Sequence, residues 1–250
     1  MKYMGSKSKV ANQLVAVIQP YIDKFRPWAY IEPFCGGCNV IDKIVASKRI
    51  AHDKQPYLIA LLKNLDRIDE LPEFIEREHY EDVRRAYNDN TGEYEDWYIG
   101  AIGFLSSYNG RFFDGGYAGK IVTREGNERN YYQEALRNLH KQKPHLEGVQ
   151  FVCSDYSLLN TQGAVIYCDP PYEDTKNYMA DRRFDYEKFW NWVRKASTEN
   201  IVLVSSNNAP EDFRCIWEQK VCRTMKSSGA VKEDVEKLYI CKEQEEIWRS

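Results

Sequence analysis

No apolar run in the 250-residue chain approaches the roughly 18 residues that a membrane-spanning helix needs, and the opening MKYMGSKSKV lacks the apolar stretch of a secretory signal. A cytoplasmic protein with no membrane attachment is therefore expected. Histidine is scarce, at four residues, and the seven cysteines are an odd number with no export signal, so reduced thiols are expected rather than a disulfide framework. Cys35 and Cys38 form a CxxC, but a structural zinc needs four ligands and no second pair follows; no metal is expected. Cys153 and Cys168 lie within apolar segments and read as small core residues. There is no internal repeat, and the 43% hydrophobic and 29% charged composition excludes disordered and collagen-like classes.

Neither sign of charge dominates, since 35 Lys/Arg against 38 Asp/Glu leave a net −3, which argues weakly against a polyanionic partner. The distribution argues the other way. Residues 1–54 hold nine Lys/Arg and four Asp/Glu, 55–100 hold five and twelve, and 101–145 hold seven and four. Two basic stretches around an acidic one can fold into a single positive face, the footprint of a backbone-binding protein, although ordinary solvated faces give the same count.

The length fits one large α/β domain or one domain carrying an insertion. Val10, Leu14, Val17, Ile18 and Tyr21 mark an amphipathic helix, with serines before it as cap candidates. Short strands are predicted at 29–32 and 49–52, with a glycine turn and a helix over 40–48 between them. From 56 to about 143 the pattern turns to polar helices (58–65, 75–87, 97–106, 131–141) with a Gly/Asn/Arg-rich loop at 108–130. Strands return at 149–153, 165–168 and 201–205, with a helix over 185–197, and the segments 215–224 and 235–242 read as an antiparallel pair. The alternation predicts one parallel α/β sheet interrupted by a helical insert.

The sharpest motif is Val165-Ile-Tyr-Cys-Asp-Pro-Pro-Tyr172, an apolar strand ending in a carboxylate, two prolines and an aromatic ring. Sheet enzymes bind ligands outside the carboxyl ends of their strands. The prolines stiffen the loop and leave carbonyls free to accept hydrogen bonds. An amino group on an aromatic ring presents two hydrogens; Asp169 and the Pro170 carbonyl could accept one each while Tyr172 stacks on the ring. The plainer alternative is a turn capped by the Asp. The second motif, Ile31-Glu-Pro-Phe-Cys-Gly-Gly-Cys-Asn39, is a strand followed by a glycine turn and a helix start, a place where backbone can approach a nucleotide closely. Asp53, about 20 residues on at the end of the next strand, stands where an acid reaches ribose hydroxyls. Taken alone the glycines are also compatible with an ordinary tight turn. Lys2-Tyr-Met-Gly-Ser-Lys7 offers an aromatic and two lysines, or simply a frayed start. Ser107-Tyr-Asn-Gly-Arg-Phe-Phe113 mixes groups that enter or read a duplex, though Asn-Gly is also a common turn.

Together these segments resemble the DNA adenine methylase family, S-adenosylmethionine-dependent and specific for adenine N6, over nearly the whole chain. KYMGSK at 2–7 resembles the family's opening motif, EPFCGG at 32–37 its cofactor loop, HD at 52–53 its ribose-binding acid, SDY at 154–156 a further pocket motif, and CDPPY at 168–172 its catalytic loop. Cys38 stands where the family usually has a glycine. The resemblance implies a Rossmann-like class I methyltransferase sheet made of 1–55 and 144–250, with 56–143 as a helical target-recognition subdomain. It implies S-adenosyl-L-methionine held by Tyr3, Lys7, Phe34, Gly36, Asp53, Asp155 and Asp169, and catalysis by Asp169, Pro170 and Tyr172. Double-stranded DNA would meet Lys2, Tyr108, Asn109, Arg111, Lys120 and Arg124, with the target adenine flipped out of the duplex. A monomer, a role in restriction-modification and methylation of cytosine N4 are compatible with the same residues, as is a DNA-binding protein that has lost activity.

Overall fold

The computed structural model describes residues 1–122, 126–172, 184–224 and 231–244. Its strands are β1 (Tyr30–Glu32), β2 (Arg49–Asp53), β3 (Lys120–Val122), β4 (Glu128–Asn130), β5 (Val149–Cys153), β6 (Val165–Cys168), β7 (Ile201–Ser205), β8 (Phe213–Thr224) and β9 (Val231–Cys241). Its α-helices are α1 (Ala11–Phe25), α2 (Pro56–Lys63), α3 (Arg77–Asp89), α4 (Asp96–Leu105), α5 (Tyr131–Gln142) and α6 (Tyr186–Ser197). Seven strands line up as β5-β2-β1-β6-β7-β9-β8, parallel from β5 through β7, with β9 antiparallel to both its neighbours. This is the expected Rossmann-like α/β sheet, and β3 with β4 forms a separate hairpin.

The central strands read as unbroken apolar runs because both faces are covered. Tyr30, Val165, Tyr167, Ile201 and Leu203 point into a core shared with α1, α2, α4 and α5, while Ile31, Ile166, Cys168, Val202 and Val204 point into a second core under α6. Successive residues go to opposite faces, so one strand feeds two cores. α1 buries Ala11, Leu14, Ile18 and Ile22, one stripe of its surface. The serine expected to cap α1 does another job: Ser6 accepts a hydrogen bond from the Ser8 amide and starts a 3-10 turn at Lys7–Lys9, which buries Lys7.

Three expectations are corrected. The segment 40–48 is not an α-helix; only a 3-10 turn forms at Ile41–Lys43, and Ile44 is already extended. Four β-branched residues in six positions (Val40, Ile41, Ile44, Val45) follow Cys38, which is itself left-handed at φ 56°, so this short link has no run of strong helix formers. The helices of the insert are not all polar, since α4 is buried nearly all round and is the hub on which α2, α3 and α5 pack. Cys153 is exposed at the end of the edge strand β5 rather than buried, whereas Cys168 on the central strand β6 is buried.

Candidate active site

Strand order reverses beside β1: β2 and β5 lie on one side, β6 and the later strands on the other. The crevice outside the carboxyl ends of β1 and β6 is therefore the topological switch point of the sheet. The loops that follow these two strands carry both sequence motifs, Pro33–Cys38 and Asp169–Tyr172.

On the β6 side four side chains form one net. Lys7 Nζ lies 2.8 Å from Asp169 Oδ1 and 3.5 Å from Glu236 Oε2, and 4.4 Å from the centroid of the Tyr172 ring. The Tyr172 hydroxyl donates to Glu236 Oε2 at 2.6 Å. Burial pushes the Tyr172 phenol far up, helped by the charges of Asp169 and Glu236, so it stays a neutral donor. The Lys7 and Glu236 side chains are 6% and 8% exposed, and such buried charges persist only when paired. The Pro171 carbonyl is taken by the Tyr186 hydroxyl at 2.8 Å, which pins the second proline to the start of α6. Beneath the net, Glu32 at the end of β1 accepts from the Tyr30 hydroxyl at 2.8 Å, and burial raises its carboxyl well above the usual range despite that bond.

On the β1 side, Asp53 at the end of β2 accepts from the Gly36 amide at 3.1 Å and from the Gln55 amide at 3.0 Å. Desolvation raises its carboxyl above the ordinary value in spite of these bonds. The glycine turn serves a close approach by protein: a Cβ on Gly36, which sits at φ +44°, would lie 2.9 Å from Tyr3 Cε1, and one on Gly37 would lie 2.9 Å from the Met1 carbonyl oxygen. The turn is followed by no α-helix N-terminus, so the anion-attracting helix end expected from the sequence is missing. Phe34 is half-buried and meets Tyr156 and Phe184 at ring-centroid distances of 5.2 and 5.9 Å. Asp155 caps the turn Tyr156–Leu158; burial pushes its carboxyl up, but hydrogen bonds from the Ser157 amide and hydroxyl outweigh it and hold it below the usual value. These residues suit a nucleoside. An ionised carboxylate offers about four lone-pair sites, so Asp53 keeps capacity for a ribose hydroxyl beside the backbone amides of Gly36, Gln55 and Lys54, and Phe34 offers a ring among aromatic neighbours.

The residues expected to meet DNA fall partly together. The turn Tyr108–Gly110 is packed on the N-terminal segment, since a Cβ on Gly110 would sit 2.5 Å from the Lys2 carbonyl oxygen. Lys2 Nζ stands 5.2 Å from the Tyr131 ring centroid, and the Arg129 guanidinium 4.7 Å from the same ring. Tyr108 and Asn109 are exposed, Arg111 is half-buried, and exposed Lys120 pairs with Glu128 across the β3–β4 hairpin at 3.1 Å. Arg124 lies outside the described residues. Phe112 and Phe113, grouped by sequence with the duplex-reading loop, are core residues. Both are left-handed, at φ 22° and 62°, and their rings pack on Tyr87. Glu236 escaped the sequence reading. Its signal was a charged residue on the inward parity of a strand, alternating with Leu238 and Ile240.

Among the described residues no group of His, Cys, Asp or Glu could hold a metal ion, and no helix is long and apolar enough to cross a membrane. The model of the D12 class N6 adenine-specific DNA methyltransferase family matches residues 3–196. The Type II methyltransferase M.FokI of Planomicrobium okeanokoites is 29% identical over 223 residues, covering 81% of this chain and 33% of the relative. The Type II methyltransferase M.MjaIII of Methanocaldococcus jannaschii is 22% identical over 248 residues, covering 85% of each. The chain thus spans about a third of the first relative. A solved structure of an RNA methyltransferase candidate, PH1948 from Pyrococcus horikoshii, covers 92% of this chain and 81% of its own at 10% identity, with a TM-score of 0.41, a likeness too distant to carry weight.

Proposed function

Because the chain belongs to the D12 class N6 adenine-specific DNA methyltransferase family, we propose that it transfers a methyl group from S-adenosyl-L-methionine to the N6 amine of an adenine flipped out of double-stranded DNA. The two relatives named Type II methyltransferases favour a restriction-modification setting. One observation carries the reading: the Asp-Pro-Pro-Tyr loop and the glycine loop flank the switch point of the sheet, with Asp169 and Asp53 at the ends of β6 and β2.

The division of labour follows from the residues. Residues 1–55 and 144–250 hold the cofactor, and 56–143 carry target recognition. Tyr3, Phe34, Gly36, Asp53 and Asp155 line the cofactor side, with Lys7 and Asp169 where it meets the substrate. The bound cofactor supplies an electrophilic methyl group. Adenine's amine is a poor nucleophile, because its lone pair is conjugated into the ring, and it is unreachable inside a stacked duplex. Flipping costs a few kcal/mol, which stacking on Tyr172 and hydrogen bonds to the base edge offset. Asp169 and the Pro170 carbonyl would each accept one amine hydrogen and so orient the nitrogen toward the methyl donor; orientation of this kind can be worth roughly 7 to 11 kcal/mol. Asp169 orients and stabilises the developing positive charge. A carboxylate is too weak a base to take a proton from a neutral aromatic amine before attack, so the proton leaves during or after transfer.

The test is nucleoside analysis of DNA from cells expressing the chain. N6-methyladenine is expected. N4-methylcytosine in its place would reassign the base, and unmodified DNA with retained duplex binding would mark the chain as a binding protein.

A further inference from the structure

Glu236 lies outside every motif of the site, yet its carboxylate touches two members of it. It stands on β9 two residues before Leu238, the partner of Ser205 at the end of β7. Because β9 runs antiparallel to β7, that step carries it past the carboxyl end of the parallel strands, to the loop after β6. There Oε2 accepts from the Tyr172 hydroxyl and faces Lys7 Nζ at 3.5 Å. Lys7, at 2.8 Å from Asp169 and 4.4 Å from the Tyr172 ring centroid, holds ground that the proposed reaction gives to the substrate amine and base. A base stacking on that ring face has to displace the ammonium. A cation this buried cannot leave one carboxylate without another to receive it, because an unpaired buried charge is strongly unfavourable. Glu236 is already within reach.

Resting on the methyltransferase reading, we infer that Glu236 is a positioning residue for transfer. It receives Lys7 when the incoming amine takes Asp169, and its hydrogen bond from Tyr172 fixes the plane on which the base stacks. The ammonium keeps its proton, and no bond is made or broken at Glu236.

The experiment is single-turnover transfer of labelled methyl groups from S-adenosylmethionine to unmethylated plasmid DNA, using the full chain and the variants Glu236→Gln, Glu236→Asp, Tyr172→Phe and the Gln–Phe double variant. Glu236→Gln keeps the size and an oxygen for the Tyr172 hydroxyl while removing the charge. Its transfer rate is expected to fall about tenfold or more, as for a misplaced reacting group, with cofactor affinity by calorimetry and DNA affinity by gel shift close to those of the unaltered chain. A residue that merely packed β9 would not separate rate from affinity in this way. Glu236→Asp, which keeps the charge, should transfer faster than Glu236→Gln, and it carries the test should the glutamine variant fail to fold, by retaining more than about a tenth of the normal rate. The Glu236→Gln and Tyr172→Phe losses should be less than additive, since the two groups act through one contact. An unchanged rate in Glu236→Gln, a rate in Glu236→Asp below that tenth, or full additivity would overturn the inference and leave the methyltransferase reading standing. Absence of transfer by the unaltered chain would overturn both.

Discussion

Asp169 carries two demands at once, since it is the counter-ion of a buried lysine and the acceptor proposed for the substrate amine. Removing it as Asp169→Ala should abolish detectable transfer, a loss of at least about a hundredfold. Lys7 would keep Glu236 and the Tyr172 ring among the described residues, so stability should also fall, by less than the roughly 3 to 5 kcal/mol of a fully stranded buried charge; urea denaturation reads the second effect. Asp53 gives a pH prediction. Its carboxyl is raised by desolvation, so it takes up a proton at a higher pH than an ordinary aspartate. If Asp53 holds the cofactor's ribose as proposed, its hydroxyls need the ionised acceptor. Cofactor affinity should therefore be full above the raised value and fall as pH drops through it, earlier than the usual carboxylate range near 3.9 would give; calorimetry across pH should find this fall, and Asp53→Asn should flatten it. Asp169 and Tyr172 could be read as candidates from the sequence because they follow the apolar strand β6, and Asp53 because it ends the next strand about 20 residues after the glycine turn. Glu236 was not, because its neighbours in space come from the other end of the chain and only strand register brings them together.

At the scale of elements, β6 and β7 were legible because burial on both faces writes them as apolar runs. The link between β1 and β2 was not. Its spacing suits a helix, but β-branched residues and the left-handed Cys38 leave a single 3-10 turn, and the adjoining glycines accommodate Tyr3 and Met1. The loop after α4 shows the same competition between readings. Tyr-Asn-Gly-Arg-Phe-Phe looks like one exposed unit, but two left-handed residues turn its end inward. A Cβ on Gly103 would lie 2.5 Å from Phe112, so α4 can take this ring only because it has glycine there. Phe112→Ala should thus behave as a core truncation and cost about 3 to 5 kcal/mol in chemical denaturation. Tyr108→Ala, at a position 41% exposed, should cost little stability, and its effect should appear in DNA binding. Equal stability losses in the two variants would contradict this division of the loop.

The whole molecule resolves the mixed message of the charge count. A net −3 argues against a nucleic-acid partner only if charge is spread evenly, and it is not. The fold brings the N-terminal basic stretch against the basic stretch of 101–145: Lys2 and Arg129 share the Tyr131 ring, and Gly110 abuts Lys2. The acidic stretch of 55–100 instead includes α3, where Arg85 pairs with Asp82 and Arg84 with Glu81. If the first surface meets phosphates, each lysine removed from it releases fewer counterions on binding. Lys2→Ala and Lys120→Ala should each weaken binding to matched and unmatched duplexes alike and lower the slope of log affinity against log salt by about 1. Lys120 starts in an exposed ion pair with Glu128, and such pairs are worth roughly 0 to 1 kcal/mol, so its loss should leave stability nearly unchanged. Arg111→Ala tests base reading: discrimination between matched and mismatched sites should fall by about 1 to 3 kcal/mol with little change in salt slope. Arg85→Ala on α3 is the control and should alter neither quantity. A salt series on these four variants therefore separates a phosphate-binding face from a merely basic one. Slopes left unchanged by both lysine variants would move DNA binding away from this surface altogether.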